Sequence, residues 1–390
     1  MAQEDASEPV RPEGVKLLGH RIGPVTALLL LSPFAAEILS GAFFPLLPVI
    51  FPPFLFLYLG LWGCGAVLIR EAVVRWGRGW PSILALGAAF AFLEEGLVFS
   101  SFTDPLSPAR QALDPSGTWG AGPDGINWVW IATMVFFNAV VSIALPILLV
   151  QLAYPSRAGA RWLSGRRVAE AIAWLAAAAA LGRTMFSSGE FSKGYYAHIA
   201  SWQVVATVAA IGALIVVARY LPARIGPRPR PGQAPSPVSL VIMTASAYCM
   251  YFLAGFGGKG LGYSPNLAFG LVVGVAIAAA VGFMFLSSLD GWSDRHRFAV
   301  AAGVGWFYAG LNLALGPFNF VVGAFTGYEL WRGWRWIKAG QGSAVVPAPD
   351  EPAVETPAVE TPLTEIARKH APTPNLDEDL RQRRSRSGRR

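Results

Sequence analysis

Residues 81–102 read PSILALGAAFAFLEEGLVFSSF, an apolar run holding two adjacent acids, Glu94 and Glu95. Its length suits a helix crossing a hydrocarbon core, which needs roughly 20 residues for about 30 Å. A soluble core helix does not account for it, because blocks of similar length recur at 24–41, 54–76, 127–153, 167–186, 198–220, 238–256, 265–289, 298–315 and 317–337. Of the 390 residues, 54% are hydrophobic and 14% charged, against roughly 25% charged in an ordinary soluble domain. The pattern predicts an all-α integral membrane protein, a helical bundle of about ten transmembrane helices.

Basic residues assign the two sides, since cytoplasmic loops are enriched in Lys and Arg. One side collects Arg11, Lys16, Arg21, Arg75, Arg78, Arg157, Arg161, Arg166, Arg167, Arg224, Arg228, Arg230, Arg295, Arg297, Arg332, Arg335 and Lys338. The other has Arg110, Arg183, Lys193 and Lys259. The alternation places both termini in the cytoplasm of a bacterial inner (plasma) membrane. Glu37 and Pro33 make the first span unlike the apolar core of a cleaved signal. The expected organisation is a cytoplasmic segment 1–23, six helices in 24–220, a Pro-rich linker 221–237, four helices in 238–338 and a disordered tail 339–390. The net charge of +7 belongs to loops and tail. The basic end RQRRSRSGRR (381–390) suits anionic lipid, at about 1 kcal/mol per basic residue; nucleic acid is not an expected partner.

Acids inside a membrane mark the candidate site, because placing one ionised at a helix centre costs about 2.5–3.5 kcal/mol. Two neighbouring carboxylates would also repel, so at least one is expected to hold a proton. At 1.5 Å per residue, Glu94, Glu95, Glu37, Asn138 and Asn312 fall at similar depth and form a polar layer. Asn138 and Ser142 are one turn apart, and Pro146 has no N–H to give the Ser142 carbonyl. Glu94, Glu95, Glu37, Asn138, Ser142 and Asn312 are therefore the candidate ligand- or ion-binding residues; packing of one polar group against another is the competing reading. Near the cytoplasmic boundary, Arg70, Glu71 and Arg75 have the spacing of an interfacial ion pair. In the rival reading, Arg70 reaches inward as a counter-ion.

Other patterns carry no chemistry. GFGGKGLG (255–262) lacks the Gly and Ser/Thr that a phosphate loop needs at Leu253 and Gly260. Asp104, Asp114 and Asp124 are spaced unlike a calcium loop. Cys64 and Cys249 lie inside spans and suggest no disulfide. FFPLLPVIFPPF (43–54) is expected to lie in the outer interface or to re-enter the membrane, while GLVVG (270–274) and GAFTG (323–327) read as helix-packing motifs. No metal or cofactor is expected.

The acid pair resembles the Glu-Glu-xxx-Arg motif of the CAAX-processing and bacteriocin-processing intramembrane proteases. Glu94 and Glu95 match its acids, but Phe99 stands where the arginine belongs and no Phe-xxx-His occurs. His20, His296 and His370 lie at the cytoplasmic side, and His198 lies at an outer helix edge. LSPFAAEILSG (31–41), IREAVVRWGRGWPSILALGAAFAFLEEGL (69–97) and SIALPILLVQLAYP (142–155) resemble a family of uncharacterised bacterial polytopic membrane proteins over the first four or five helices. That resemblance implies location and architecture but no activity. The leading expectation is a membrane protein that binds or transports a small solute or ion at its acids. The alternatives are an intramembrane hydrolase, active or lapsed, and a structural scaffold; an enzyme is not the favoured expectation.

Overall fold

The computed structural model describes residues 14–17, 20–42, 44–107, 110–111, 114, 116–187, 200–224 and 230–339. The tail from 340, His198, Lys193, Arg11 and Arg228 lie outside the described residues. Each of the ten apolar segments falls on a helix: α1 Pro24–Leu39, α2 Pro52–Arg75, α3 Trp80–Val98, α4 Trp128–Ala153, α5 Gly165–Ser187, α6 Ser201–Tyr220, α7 Pro237–Gly255, α8 Pro265–Leu286, α9 Asp294–Ala314 and α10 Pro317–Ala339. Seven of them, α2 to α8, are long and apolar enough to cross a membrane. The helix α1 is apolar but shorter, α9 carries Arg295 and Arg297 in its first turn, and α10 carries Arg332 and Arg335 in its last two turns. The all-α expectation needs one small amendment. Two short strand pairs exist, β1 (Val15–Leu17) antiparallel to β2 (His20–Ile22), and β3 (Arg230–Gln233) parallel to β4 (Leu289–Asp290).

Helix starts follow local chemistry. Proline occupies the first turn of α1, α2, α3, α7 and α8, where its missing N–H is no loss. Asn127, Ser236 and Ser264 accept from the backbone N–H three residues on, at 2.9, 3.1 and 3.3 Å, and so cap α4, α7 and α8. Gly79, before α3, leaves room for a neighbour; a Cβ there would lie 1.9 Å from the Ala223 carbonyl oxygen.

The first four helices are not uniform rods. Each contains a π-helical segment with i→i+5 bonding: Phe34–Leu39 in α1, Leu59–Gly63 in α2, Phe92–Val98 in α3 and Asn138–Ala144 in α4. Proline helps to open two of them. Pro33 cannot donate to the Leu29 carbonyl, which faces Gly63 so closely that a Cβ there would sit 2.7 Å away. Pro146 leaves the Ser142 carbonyl without its helical donor; the Ser32 hydroxyl of α1 supplies one at 2.7 Å.

The helices α2, α3 and α4 form the centre, with 61–67% of their most apolar windows buried, against 6–28% for α5 to α8. Gly87 on α3 lets α4 approach until a Cβ would be 2.8 Å from Ala139 Cα. On either side of the 221–237 linker the chain shares one core, since Tyr248 and Tyr251 of α7 and Tyr308 of α9 cluster with Met134 and Val141 of α4. Of the two small-residue motifs, GAFTG packs as expected, with Gly323 against the Ala309 carbonyl, whereas Gly270 and Gly274 of GLVVG face open space. The FFPLLPVIFPPF stretch forms a short helix, Leu47–Ile50, with exposed Val49 and Ile50, and Phe44 meets Phe318 edge-on.

Loops bearing the basic residues meet at one end. Tyr154 Oη donates to the Ile22 carbonyl at 2.5 Å, Arg219 lies over Trp76, and β3 of the linker pairs with β4. At the opposite end, Lys259 pairs with Asp114 and Arg183 donates to Ser100 Oγ.

Candidate functional site

Three of the four π-helical segments carry most of the sequence-predicted site: Glu37, Glu94 with Glu95, and Asn138 with Ser142. Widening a helix by one residue per turn rotates its following side chains, and such segments are frequent at functional sites. Glu37, Glu94 and Glu95 are all buried, and Glu37 and Glu94 each feel the charge of Glu95. Among the described residues, none of the three is in an ion pair. Three carboxyls gathered in this way need either protons or cations brought from outside.

Each acid has a different hand of partners. Glu94 Oε1 accepts from Trp62 Nε1 at 3.0 Å, while Oε2 has no hydrogen-bond partner. The Asn138 amide lies against Glu94 yet neither its oxygen nor its nitrogen reaches hydrogen-bonding geometry. Ser142 Oγ, a turn further along, is also unpartnered. Asn138 and Ser142 are wholly buried, so these orphaned atoms are costly, at about 1–3 kcal/mol each for a polar group without a bond. Glu95 is served differently. Ser101 Oγ donates to Glu95 Oε2 and in turn accepts from Trp130 Nε1 at 2.9 Å.

The backbone explains how Ser101 reaches Glu95. Ser100 adopts a left-handed conformation, φ 53°, which is uncommon for a residue with a side chain. The turn brings Ser101 N onto the Glu95 carbonyl at 2.8 Å. Arg183 of α5 holds Ser100 Oγ, and Arg110 donates to the Ser101 and Gly117 carbonyls. Two cations on the sparsely charged side therefore brace the turn.

Asn312 is used elsewhere. Its Nδ2 donates to the Leu39 carbonyl at 2.6 Å and to the Tyr308 carbonyl at 2.8 Å, and Asn319 donates to its Oδ1 at 3.2 Å. It caps the end of α1, two residues beyond Glu37, rather than joining the acids. Arg70 and Glu71 form their own buried network. Glu71 accepts from Arg75 Nε at 2.9 Å and from Trp162 N at 3.0 Å, with Arg70 Nη1 3.5 Å away. Arg70 also donates to the Arg157 and Ala158 carbonyls and stacks on the Trp162 ring at 3.6 Å. This matches the ion-pair reading and leaves Arg70 turned toward the α4–α5 loop, away from the role of counter-ion.

Trp62, Ser32, Ser101 and Trp130 escaped the sequence reading. Trp62 sits in YLGLWGCG (58–65), whose small residues mark close helix approach, and Ser101 ends the acid-bearing run itself. Among the described residues no three His, Cys, Asp or Glu side chains are grouped to hold a metal ion. His296 bonds to Ser293 and stacks on Trp292 at the start of α9, and Phe99 stacks on Trp62. No family model, curated protein or solved structure matches the chain.

Proposed function

We propose that this chain is a bacterial inner-membrane protein that binds or transports a small solute or ion at a buried acidic centre. In this reading its ten helices all span the bilayer, both termini are cytoplasmic, and the chain belongs with the uncharacterised polytopic proteins it resembles. The observation that carries the reading is the set of orphaned polar atoms beside Glu94: its own Oε2, both ends of the Asn138 amide and the Ser142 hydroxyl. A packing clamp would satisfy these groups mutually, whereas a binding centre leaves them free to meet a proton, water or cation. Glu94 and Asn138 supply the acceptors, and Trp62 orients the carboxyl.

The test is proton and monovalent-cation flux in vesicles of phosphatidylethanolamine and phosphatidylglycerol containing the full chain. The expected result is flux above empty vesicles that falls at least tenfold in both Glu94→Gln and Glu95→Gln. Equal flux in wild type and both variants overturns the reading.

A further inference from the structure

Between Glu95 and the loop 99–127 lies a chain of groups that the acidic centre alone does not require. Ser101 Oγ donates to Glu95 and accepts from Trp130 Nε1. Trp130 in turn lines a cavity of about 20 Å³ together with Arg110, Asp114, Trp119, Asn127 and Lys259. A space of that size takes about one water, and its walls carry polar groups able to hold it. The indole is itself buried and rests edge-on against Phe256 at 5.8 Å. It therefore separates a polar cavity from a hydroxyl already bonded to an intramembrane acid.

We infer that Trp130 is a gate between the acidic centre and the cavity beneath the 99–127 loop, and that Glu95 exchanges protons through Ser101 when the indole moves aside. The inference rests on the acidic centre proposed above and names its proton route. In the closed arrangement the indole N–H, which does not relay protons, occupies the Ser101 acceptor position. With a water at Ser101 instead, the Ser101 O–H turns from Glu95 to the water, and the Glu95 O–H bond breaks as a bond forms to Ser101 Oγ. The original Ser101 O–H bond breaks as its proton passes to the water. The serine is regenerated, Glu95 is left as carboxylate and one proton has left on the water. The reverse sequence reloads the acid.

The charged groups around this route are consistent with control at the indole. Glu37 of α1 and Glu94 of α3 are close enough to Glu95 to feel its charge. Arg110 touches the Ser101 carbonyl and Arg183 of α5 touches Ser100. Asp114 and Lys259 pair across the cavity. The helix α6 meets the segment at Thr207, against Gly96, and brings no charge there. An excess proton in the cavity thus meets a paired carboxylate, while the hydroxyl bonded to Glu95 is behind Trp130.

Infrared spectroscopy of the full chain in lipid vesicles tests this, using the carboxylic-acid stretch that Glu95→Gln removes. After transfer to deuterated buffer, Trp130→Phe is expected to speed deuteration of that band at least tenfold, and Ser101→Ala to slow it by as much. Phe256→Ala, which leaves the indole N–H in place but removes the ring it rests on, is expected to speed exchange several-fold and serves if Trp130→Phe does not fold. Rates unchanged in the Trp130 and Phe256 variants overturn the gate, as does the absence of any acid band lost in Glu95→Gln. Vesicles that carry no flux but show Trp130-dependent exchange reject the transport reading and leave the gate standing.

Discussion

Two pairs of adjacent charged residues are buried on neighbouring helices, Arg70 with Glu71 on α2 and Glu94 with Glu95 on α3, and the fold treats them in opposite ways. Around Glu71, two arginines, a backbone N–H and the Trp162 face bring three segments together. Around Glu94, one indole N–H is the bonded donor and an uncommitted amide stands beside it. The first pair is built to hold the α4–α5 loop onto α2. The second leaves stabilisation unrealised among buried polar groups, which is what the proposed binding role requires.

Removing Glu71 is the strongest test of this contrast. Glu71→Ala leaves Arg70 buried without its carboxylate and is expected to cost about 3–5 kcal/mol, read as the fall in unfolding free energy in detergent. A loss below about 1 kcal/mol would break the comparison by showing that the network is ornamental.

Asp114 offers an intermediate case outside the membrane helices. Burial pushes its carboxyl up, but bonds from Lys259, the Trp119 N–H and Ser116 outweigh that and hold it below the usual carboxylate range. An acid held low in the folded state stabilises above its unfolded value, near 3.9, and loses that contribution as pH falls through the folded value. Unfolding measured from pH 7 to 5 should therefore show no Asp114-dependent change, with loss beginning below about pH 4. Lys259→Met should lower neutral-pH stability and flatten that acid limb.

Smaller effects sharpen the other side. Trp62→Phe removes the donor to Glu94 while keeping an aromatic ring, and should cost about 1 kcal/mol in the same unfolding measurement. Asn138→Leu exchanges an unpartnered amide for an apolar side chain of similar size. Stability is expected to stay within about 0.5 kcal/mol or rise, while vesicle flux falls. A destabilisation of about 2 kcal/mol or more would assign Asn138 a bonding role and weaken the contrast.

Much of this was legible from residue order because bilayer thickness and the cost of charge leave few options. Each apolar block falls on a helix among the described residues, seven of them long and apolar enough to cross a membrane, and Glu94–Glu95 stands out within a run that is buried. The partners were harder to read. An i→i+5 turn has no distinct period in the sequence, so depth arithmetic on straight helices put Asn312 beside the acids, whereas its amide caps α1 at Leu39. Trp62 and Trp130 look like ordinary core aromatics until the N–H of each is traced to its acceptor. Proline was the more informative signal: Pro146 marked the freed Ser142 carbonyl, though not that Ser32 would take it.

The shortness of α1 bears on the lipid itself. Pro24–Leu39 reaches roughly 24 Å at 1.5 Å per residue, less than the roughly 30 Å of an average hydrocarbon layer, and its π-helical end shortens it further. On the proposed topology, the Leu39 carbonyl ends below the lipid surface, where a bare backbone oxygen would be costly. The Asn312 amide closes that end from α9. Hydrophobic mismatch of this kind is relieved by a local dip in the bilayer, which would bring the outer aqueous phase closer to Glu37 than a flat membrane allows.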